Sequence, residues 1–425
     1  MTRLLKELII YSTGLIDNKQ GWVMNINYSR IDDNLHLLQY RDVETKYFEG
    51  LWSIPEGVTY NSYILETNDG IVVFDTWKRS VGELFTEQII KHYDPRDVKY
   101  LVVHHMEPDH SGSIPHLLNM NPNITLLGQQ LTRAMIESFY QVTPNFRPVK
   151  DGEVFKVGEY SLKFLHTPWL HWPETIMTYM VEKQFLFTCD AFGSYGIPNA
   201  LFYDELNSDE KKRFDGYLVK YFANIIGHFR DWVVKNVEKI EQTGLTIRML
   251  LPSHGPLYRD ADIARLFNIY KLLGAGRGIP GKTLLIYTSM YGFVRDVVEI
   301  IEKILQERKV DYNVREFTDT FHSDLSDVIA DAYQAQNIII ATSTYEARAF
   351  PIARLVSELI IEKTPVNKKL LIIGLYGWGG KAGSELKELF SGNNYPYVDV
   401  LEFRAGQHLL VRRSIEEKID KLFSA

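Results

Sequence analysis

A single cysteine, Cys189, is the whole thiol supply of this 425-residue chain. An internal disulfide is therefore excluded, and so are a cysteine-ligated zinc site and an iron–sulfur cluster, which need several thiolates. Positive charge is also in short supply. Lys and Arg number 47 against 54 Asp and Glu, a net charge of −7, so the broad basic face that marks nucleic-acid binding is missing. No uninterrupted apolar run approaches the length needed to span a membrane. At the N-terminus, Lys6 and Glu7 break the apolar stretch Leu4 to Ile10, which reads as a short amphipathic helix and not as a secretory signal. There is no internal repeat or low-complexity tract. A cytoplasmic protein with neither nucleic acid nor membrane as partner is the expectation.

The length suits two domains, each large enough to bury its own core. Short apolar runs fill the first part: Ile71–Phe74, Tyr100–Val103, Ile124–Leu127 and Leu162–Leu165. A hairpin follows, Thr175–Met180 with Phe185–Thr188, and these runs read as strands. Helical spacing predicts one long helical stretch from Ser208 to Gln242, then a strand from Thr246 to Leu251. Residues 273–281 hold four glycines and a proline, a composition that neither helix nor strand favours. The linker is placed at 274–281, which makes 1–273 one domain and 282–425 the other. Beyond the linker, strand-like and helix-like segments alternate five times, from Thr283–Tyr287 to a last helix at Val411–Phe423. That alternation predicts a doubly wound parallel five-stranded sheet with ligands beyond the carboxyl ends of its strands.

Chemistry-bearing residues gather at strand ends in the first part. After Val102-Val103 comes His104-His105-Met106-Glu107-Pro108-Asp109-His110, which offers His105, Glu107, Asp109 and His110 within six residues. His171 lies after a strand, Asp190 ends the strand from Phe185, and His254 follows Met249–Ser253. Any one of these is ordinarily a polar loop residue. As an ordered set they point to metal, because an acid such as Asp190 at the end of an apolar strand is costly to bury unless it is paired or ligated.

Three loops of the second domain fit a flavin nucleotide. Thr288, Ser289, Met290, Tyr291 and Gly292 precede a helix, whose free N–H groups and positive end favour phosphate. Ser343, Thr344 and Tyr345 are expected in a loop after the third strand, and Tyr376, Gly377, Trp378, Gly379 and Gly380 in one after the fourth. Aromatic side chains beside glycines suit a flat isoalloxazine ring. Phe293-Val294 stands where flavodoxin loops close with a threonine.

The strand followed by His-x-Glu-x-Asp-His, with later His, Asp and His, resembles the metallo-β-lactamase superfamily. Glu107 replaces the histidine usual there. Added carboxylate hardens a site towards iron or manganese, and this change is similar to the flavodiiron protein family. The surroundings of His171 and Asp190 and the Tyr376–Gly380 run are also similar to that family. The resemblance implies a metallo-β-lactamase-like αββα sandwich followed by a flavodoxin-like domain, carrying FMN and two irons. It implies that His105, Glu107 and His171 hold one iron, that Asp109, His110 and His254 hold the other, and that Asp190 bridges them. It further implies reduction of O2 to water or NO to N2O, in a head-to-tail homodimer or dimer of dimers. The chain lacks the cysteines of a rubredoxin-like module. An external donor is then expected, rubredoxin or reduced coenzyme F420. The rival expectation is a metal-dependent hydrolase with an accessory flavodoxin-like domain.

Overall fold

The computed structural model describes residues 25–425; the N-terminal helix expected near Leu4 to Ile10 lies outside them. The chain divides into two compact units. Among the described residues the first comprises 25–46, 54–218 and 232–270, and the second 47–53, 219–231 and 271–425.

The first unit is built on two sheets. One has seven strands in the order Ile26–Asp32, Leu35–Asp42, Val58–Thr67, Gly70–Phe74, Val98–Val102, Thr125–Gly128 and Asn145–Pro148. The pairings among its first four strands are antiparallel and the remaining ones parallel. The other sheet has six strands, running from Val154–Val157 to Tyr258–Arg259 in sequence order. Their inner faces share one core, in which Leu37, Phe74 and Val102 meet Phe164, Phe187 and Leu251. Phe74 and Phe187 stack with ring centroids 4.0 Å apart. Burial of this apolar area is the main force holding the unit together. It also fixes the strand ends from which the polar loops emerge.

Two expectations need correction. The helical stretch from Ser208 to Gln242 is not one helix. Helix Ser208–Tyr221 runs into a π-turn at Phe222–Ile226, a 3-10 turn at Gly227–Phe229 and a second helix at Arg230–Gln242. Every residue from Phe222 to Ile226 is buried, so no solvent face guides a regular 3.6-residue period there. At Gly227 the Lys363 carbonyl stands only 2.9 Å from where a Cβ would be. The strand expected from Thr246 begins at Met249, because its parallel partner Phe185 is first paired there. The Thr246 carbonyl instead accepts from the Tyr179 hydroxyl at 2.7 Å.

In the second unit, five parallel strands lie in the order Tyr312–Thr318, Thr283–Ser289, Asn337–Tyr345, Lys369–Tyr376 and Tyr397–Arg404. By chain position this is 2-1-3-4-5, the doubly wound order whose switch point lies beside the first strand. Helices Phe293–Glu307, Leu325–Gln334, Pro351–Lys363, Ala382–Ser391 and Arg412–Ser424 alternate with the strands. The third strand is longer than expected. Thr342 and Ser343 pair with Gly374 and Leu375, and Thr344 and Tyr345 turn back onto Ala349 and Arg348. The unit also takes in the small hairpin Tyr47–Ser53. Ser326 Oγ donates to the Ser53 carbonyl at 2.7 Å, and Lys220 pairs with Asp327 at 2.9 Å. Among the described residues no helix is long and apolar enough to cross a membrane.

Candidate metal and flavin sites

All seven proposed ligands of the first unit converge. Ligand atoms of His105, Glu107, His171 and Asp190 lie within 4.8 Å of one another, and so do those of Asp109, His110 and His254. Three of them sit where a strand gives way to a loop: His105 after Val98–Val102, Asp190 after Phe185–Cys189, His254 after Met249–Pro252. Helix Pro108–Ser111 starts at Glu107 and turns Asp109 and His110 into the second group. Asp190 is 1% exposed. Its Oδ2 faces His105 Nε2 at 3.6 Å and His171 Nε2 at 3.5 Å, while its Oδ1 faces His110 Nε2 at 2.9 Å and His254 Nε2 at 3.2 Å.

The charges are balanced by protons when no metal is present. Burial opposes charge on the histidines, but neighbouring carboxylates overcome it. Asp190 and Glu107 raise His171 to about 9, and Asp109 and Asp190 raise His254 to about 10. His105 is driven well above its ordinary value by Glu107 and Glu174. Burial pushes Glu107 and Asp190 up, yet their imidazole partners hold both far below the carboxylate range. Both Asp109 carboxylate oxygens are buried without a hydrogen bond, the nearest ring nitrogens being His110 Nε2 at 3.3 Å and His254 Nε2 at 3.4 Å. Four imidazoles and three carboxylates, with both Asp109 oxygens unsatisfied, form a donor set that fits paired hard cations.

Sequence reasoning did not identify the groups behind the ligands. His105 Nδ1 donates to Glu174 Oε1 at 2.8 Å, and His254 Nδ1 donates to the Thr59 carbonyl at 2.6 Å. These bonds place Nε2 of each ring towards the site. His104 stays out of the cluster: its Nδ1 donates to Asp75 at 2.7 Å and its Nε2 accepts from Thr178 at 2.8 Å. Glu174 follows His171 by three residues, and the acid three places on was the available signal.

In the second unit a cavity of about 200 Å³ opens at the carboxyl ends of the first, third and fourth strands. Of the expected flavin residues, Ser289, Met290, Tyr291, Ser343, Thr344, Tyr376 and Gly377 line it. Ser289 Oγ and Ser343 Oγ are buried with no hydrogen-bond partner. Gly292, at φ 88°, begins the helix Phe293–Glu307, a conformation that L side chains rarely adopt. That helix leaves its first N–H groups free for an anion. Thr288 does not face the cavity with a free hydroxyl, since it pairs with Thr342. Thr344 Oγ1 accepts from the backbone of Lys381 and Ala382 at 3.2 Å each. Trp378 is 81% exposed and Tyr291 86% exposed. Tyr345 stands at the strand end, and Gly379 and Gly380 lie in the Trp378 loop. The phosphate end of FMN fits the unpartnered serines and the helix start, and the exposed Tyr291 lines the cavity.

An αββα domain with a two-group acid and histidine cluster, followed by a doubly wound sheet with a cavity at its switch point, defines a metallo-β-lactamase-like flavoprotein. The family described as ODP family beta lactamase matches residues 58–255. A solved flavo di-iron protein from Thermotoga maritima is 33% identical with a TM-score of 0.85, covering 94% of this chain and 98% of that one. A nitric oxide reductase from Moorella thermoacetica is 29% identical over 368 residues, 84% of this chain and 88% of its own length. Rubredoxin oxygen:oxidoreductase from Desulfovibrio gigas shares the fold, with a TM-score of 0.86 at 22% identity. The chain belongs to the flavodiiron protein family.

Proposed function

We propose that this protein is a flavodiiron oxidoreductase that takes electrons from an external donor through FMN to a di-iron site, which reduces O2, NO or both. The observation that carries this reading is Asp190. One of its oxygens faces His105 and His171, and the other faces His110 and His254, which is the disposition of a carboxylate shared by two metals. His105, Glu107 and His171 would hold one iron, and Asp109, His110 and His254 the other. Three carboxylates favour iron over zinc in such a set. Bound flavin and iron would relay the donor's electrons to the gas, and this chain's residues would hold both and shape their surroundings.

The residues themselves orient and insulate. Glu174 and the Thr59 carbonyl fix two imidazoles from behind. Trp172 sets its ring edge-on to His105, with centroids 4.9 Å apart, and covers that side with apolar surface. Ser289 and Ser343 offer hydroxyls to the flavin nucleotide. On this reading residues 1–273 supply the metal-binding domain and 282–425 the FMN-binding domain, joined by 274–281, although 47–53 and 219–231 group with the second unit. The working form is a cytoplasmic head-to-tail homodimer or dimer of dimers, and the donor is rubredoxin or reduced coenzyme F420. The nitric oxide reductase relative supports the substrate class, and a relative from Pectobacterium atrosepticum named anaerobic nitric oxide reductase flavorubredoxin, 28% identical over 358 residues, 83% of this chain and 68% of its own length, supports the donor class.

Anaerobic purification followed by metal and flavin analysis tests the reading. About two irons per chain are expected, one per ligand group, with FMN and with O2 or NO consumption on addition of a reduced donor. Active protein carrying zinc, no flavin and hydrolytic turnover would overturn it.

A further inference from the structure

The two ligand groups are chemically matched. Each contains two histidines and one carboxylate, His105 and His171 with Glu107 against His110 and His254 with Asp109, and Asp190 faces both. They differ in what stands behind them. His254 Nδ1 donates to a neutral acceptor, the Thr59 carbonyl at 2.6 Å. His105 Nδ1 donates to a carboxylate, Glu174 Oε1 at 2.8 Å. Glu174 is fully buried, with an exposure of 0%. Its Oε1 also accepts from the Met106 backbone N–H at 2.9 Å, whereas its Oε2 has no hydrogen-bond partner. A carboxylate buried with one bare oxygen has little to spread its charge, so it depends on positive charge nearby. His105 is the group through which that positive charge is felt.

We infer that Glu174 is a positioning residue that aims His105 at its metal and makes the iron of the His105, Glu107 and His171 group the harder of the two to reduce. The inference rests on the di-iron reading above. A carboxylate hydrogen-bonded to a ligand imidazole raises the basicity of that ligand. The more positive ion gains more from this, so Fe3+ is favoured over Fe2+ at that position. With iron bound, each step would be Fe3+ plus one electron from the external donor giving Fe2+, and the Asp109, His110 and His254 group would be the first to take one. Because the direct ligands are matched, Glu174 is the residue that sets the order. Through the Met106 N–H the same oxygen also holds the backbone between His105 and Glu107, which couples both ligands to one anchor.

The test compares wild type with Glu174→Gln, which keeps the shape and an acceptor oxygen and removes the charge. Iron affinity is measured by chelator competition. Stepwise reduction is followed by EPR and Mössbauer spectroscopy, which separate the two irons. In the variant one of the two irons binds 10- to 100-fold more weakly, on the order of the loss typical for such outer partners. The lower-potential step moves up by a factor of ten or more in its one-electron equilibrium, about 59 mV, and the upper step moves less. Equal movement of both steps, or of neither, overturns the inference. Should Glu174→Gln fail to fold, Glu174→Asp keeps the charge one methylene short. Weaker iron binding with the lower step near its wild-type value supports the inference, and unchanged affinity overturns it. If wild type takes up no iron, the di-iron reading itself fails. Zinc competition on the same variants then decides the positioning role alone, and equal zinc affinities overturn it.

Discussion

The hydroxyls of Thr288 and Thr342 face each other across adjacent parallel strands, with their Oγ1 atoms 2.7 Å apart and both residues buried. Thr288 is thereby committed to the sheet, and the burden of holding a phosphate shifts to Ser289, whose Oγ is buried without a partner. The two neighbours should respond in opposite ways. Ser289→Ala removes a bond to a charged group, worth roughly 1.5–3 kcal/mol, so FMN binding weakens roughly 10- to 150-fold. Thr288→Val leaves Thr342 Oγ1 unsatisfied and lowers stability by about 1–3 kcal/mol with little change in FMN affinity. Fluorescence titration of apoprotein and chemical denaturation read the two effects separately. A larger FMN loss in Thr288→Val than in Ser289→Ala would reverse the assignment.

Asp190→Ala separates the units chemically. Removing the carboxylate that faces four imidazoles takes away a contact common to both ligand groups. Purified variant should hold well under half the wild-type iron and have no measurable O2 or NO reduction. Its FMN content should match wild type, because the cavity at Ser289, Ser343 and Tyr376 is lined wholly by residues of the second unit. Substantial gas reduction in the variant would show that Asp190 is not the bridge.

Side chains that act by type and spacing were legible before the structure. His105, Glu107, Asp109 and His110 announce themselves because a strand ends just before them, and the five alternations after residue 281 require a parallel sheet. What was hidden depends on long-range pairing. The Thr59 carbonyl behind His254 carries no side-chain signature at all. Glu174 was passed over because a lone acid in a loop is ordinarily solvated, and only the fold buries it against His105. The reading of Ser343–Tyr345 as a loop failed because the hydroxyl-rich sequence looks like a turn, whereas backbone pairing of Ser343 with Leu375 and of Thr344 and Tyr345 with Ala349 and Arg348 extends the strand. The π-turn at Phe222–Ile226 is buried throughout, so no change between a solvent face and a buried face marked its irregularity in the helical pattern.

Acid–base behaviour of the metal-free protein follows from the raised histidines. His171 is held at about 9 and His254 at about 10, above an unfolded value near 6.5. A raised folded pKa contributes stability fully below the unfolded value, and that contribution is lost as pH climbs through the folded one. Chelator-treated protein should therefore lose stability between roughly pH 6.5 and pH 10, as read from urea midpoints across that range. Iron affinity should move the other way, rising with pH as the competing protons leave. A flat stability profile for metal-free protein between pH 7 and pH 10, at constant ionic strength, would contradict the imidazolium–carboxylate balance.

Val294 tests whether the missing hydroxyl of the phosphate loop can be restored. It is 2% exposed and packs in the core with Val297, Val298 and Ile301, yet it also borders the cavity that Ser289 and Ser343 line. Threonine has the shape of valine but carries a hydroxyl, which makes the change unequal in an apolar surrounding. In apoprotein that hydroxyl lacks a charged partner, and a buried polar group without one costs about 1–3 kcal/mol. In the FMN-bound protein the second residue of the helix Phe293–Glu307 presents it beside the free N–H groups, where it can donate to phosphate. Val294→Thr should then lower the melting temperature of apoprotein and tighten FMN, so that the gap in melting temperature between apo and FMN-bound forms widens relative to wild type. Ligand linkage makes that gap a direct readout of affinity. A lowered apo melting temperature with an unchanged gap would mean that the threonine hydroxyl turns into the core, and that Ser289 with the helix N–H groups already satisfies the phosphate.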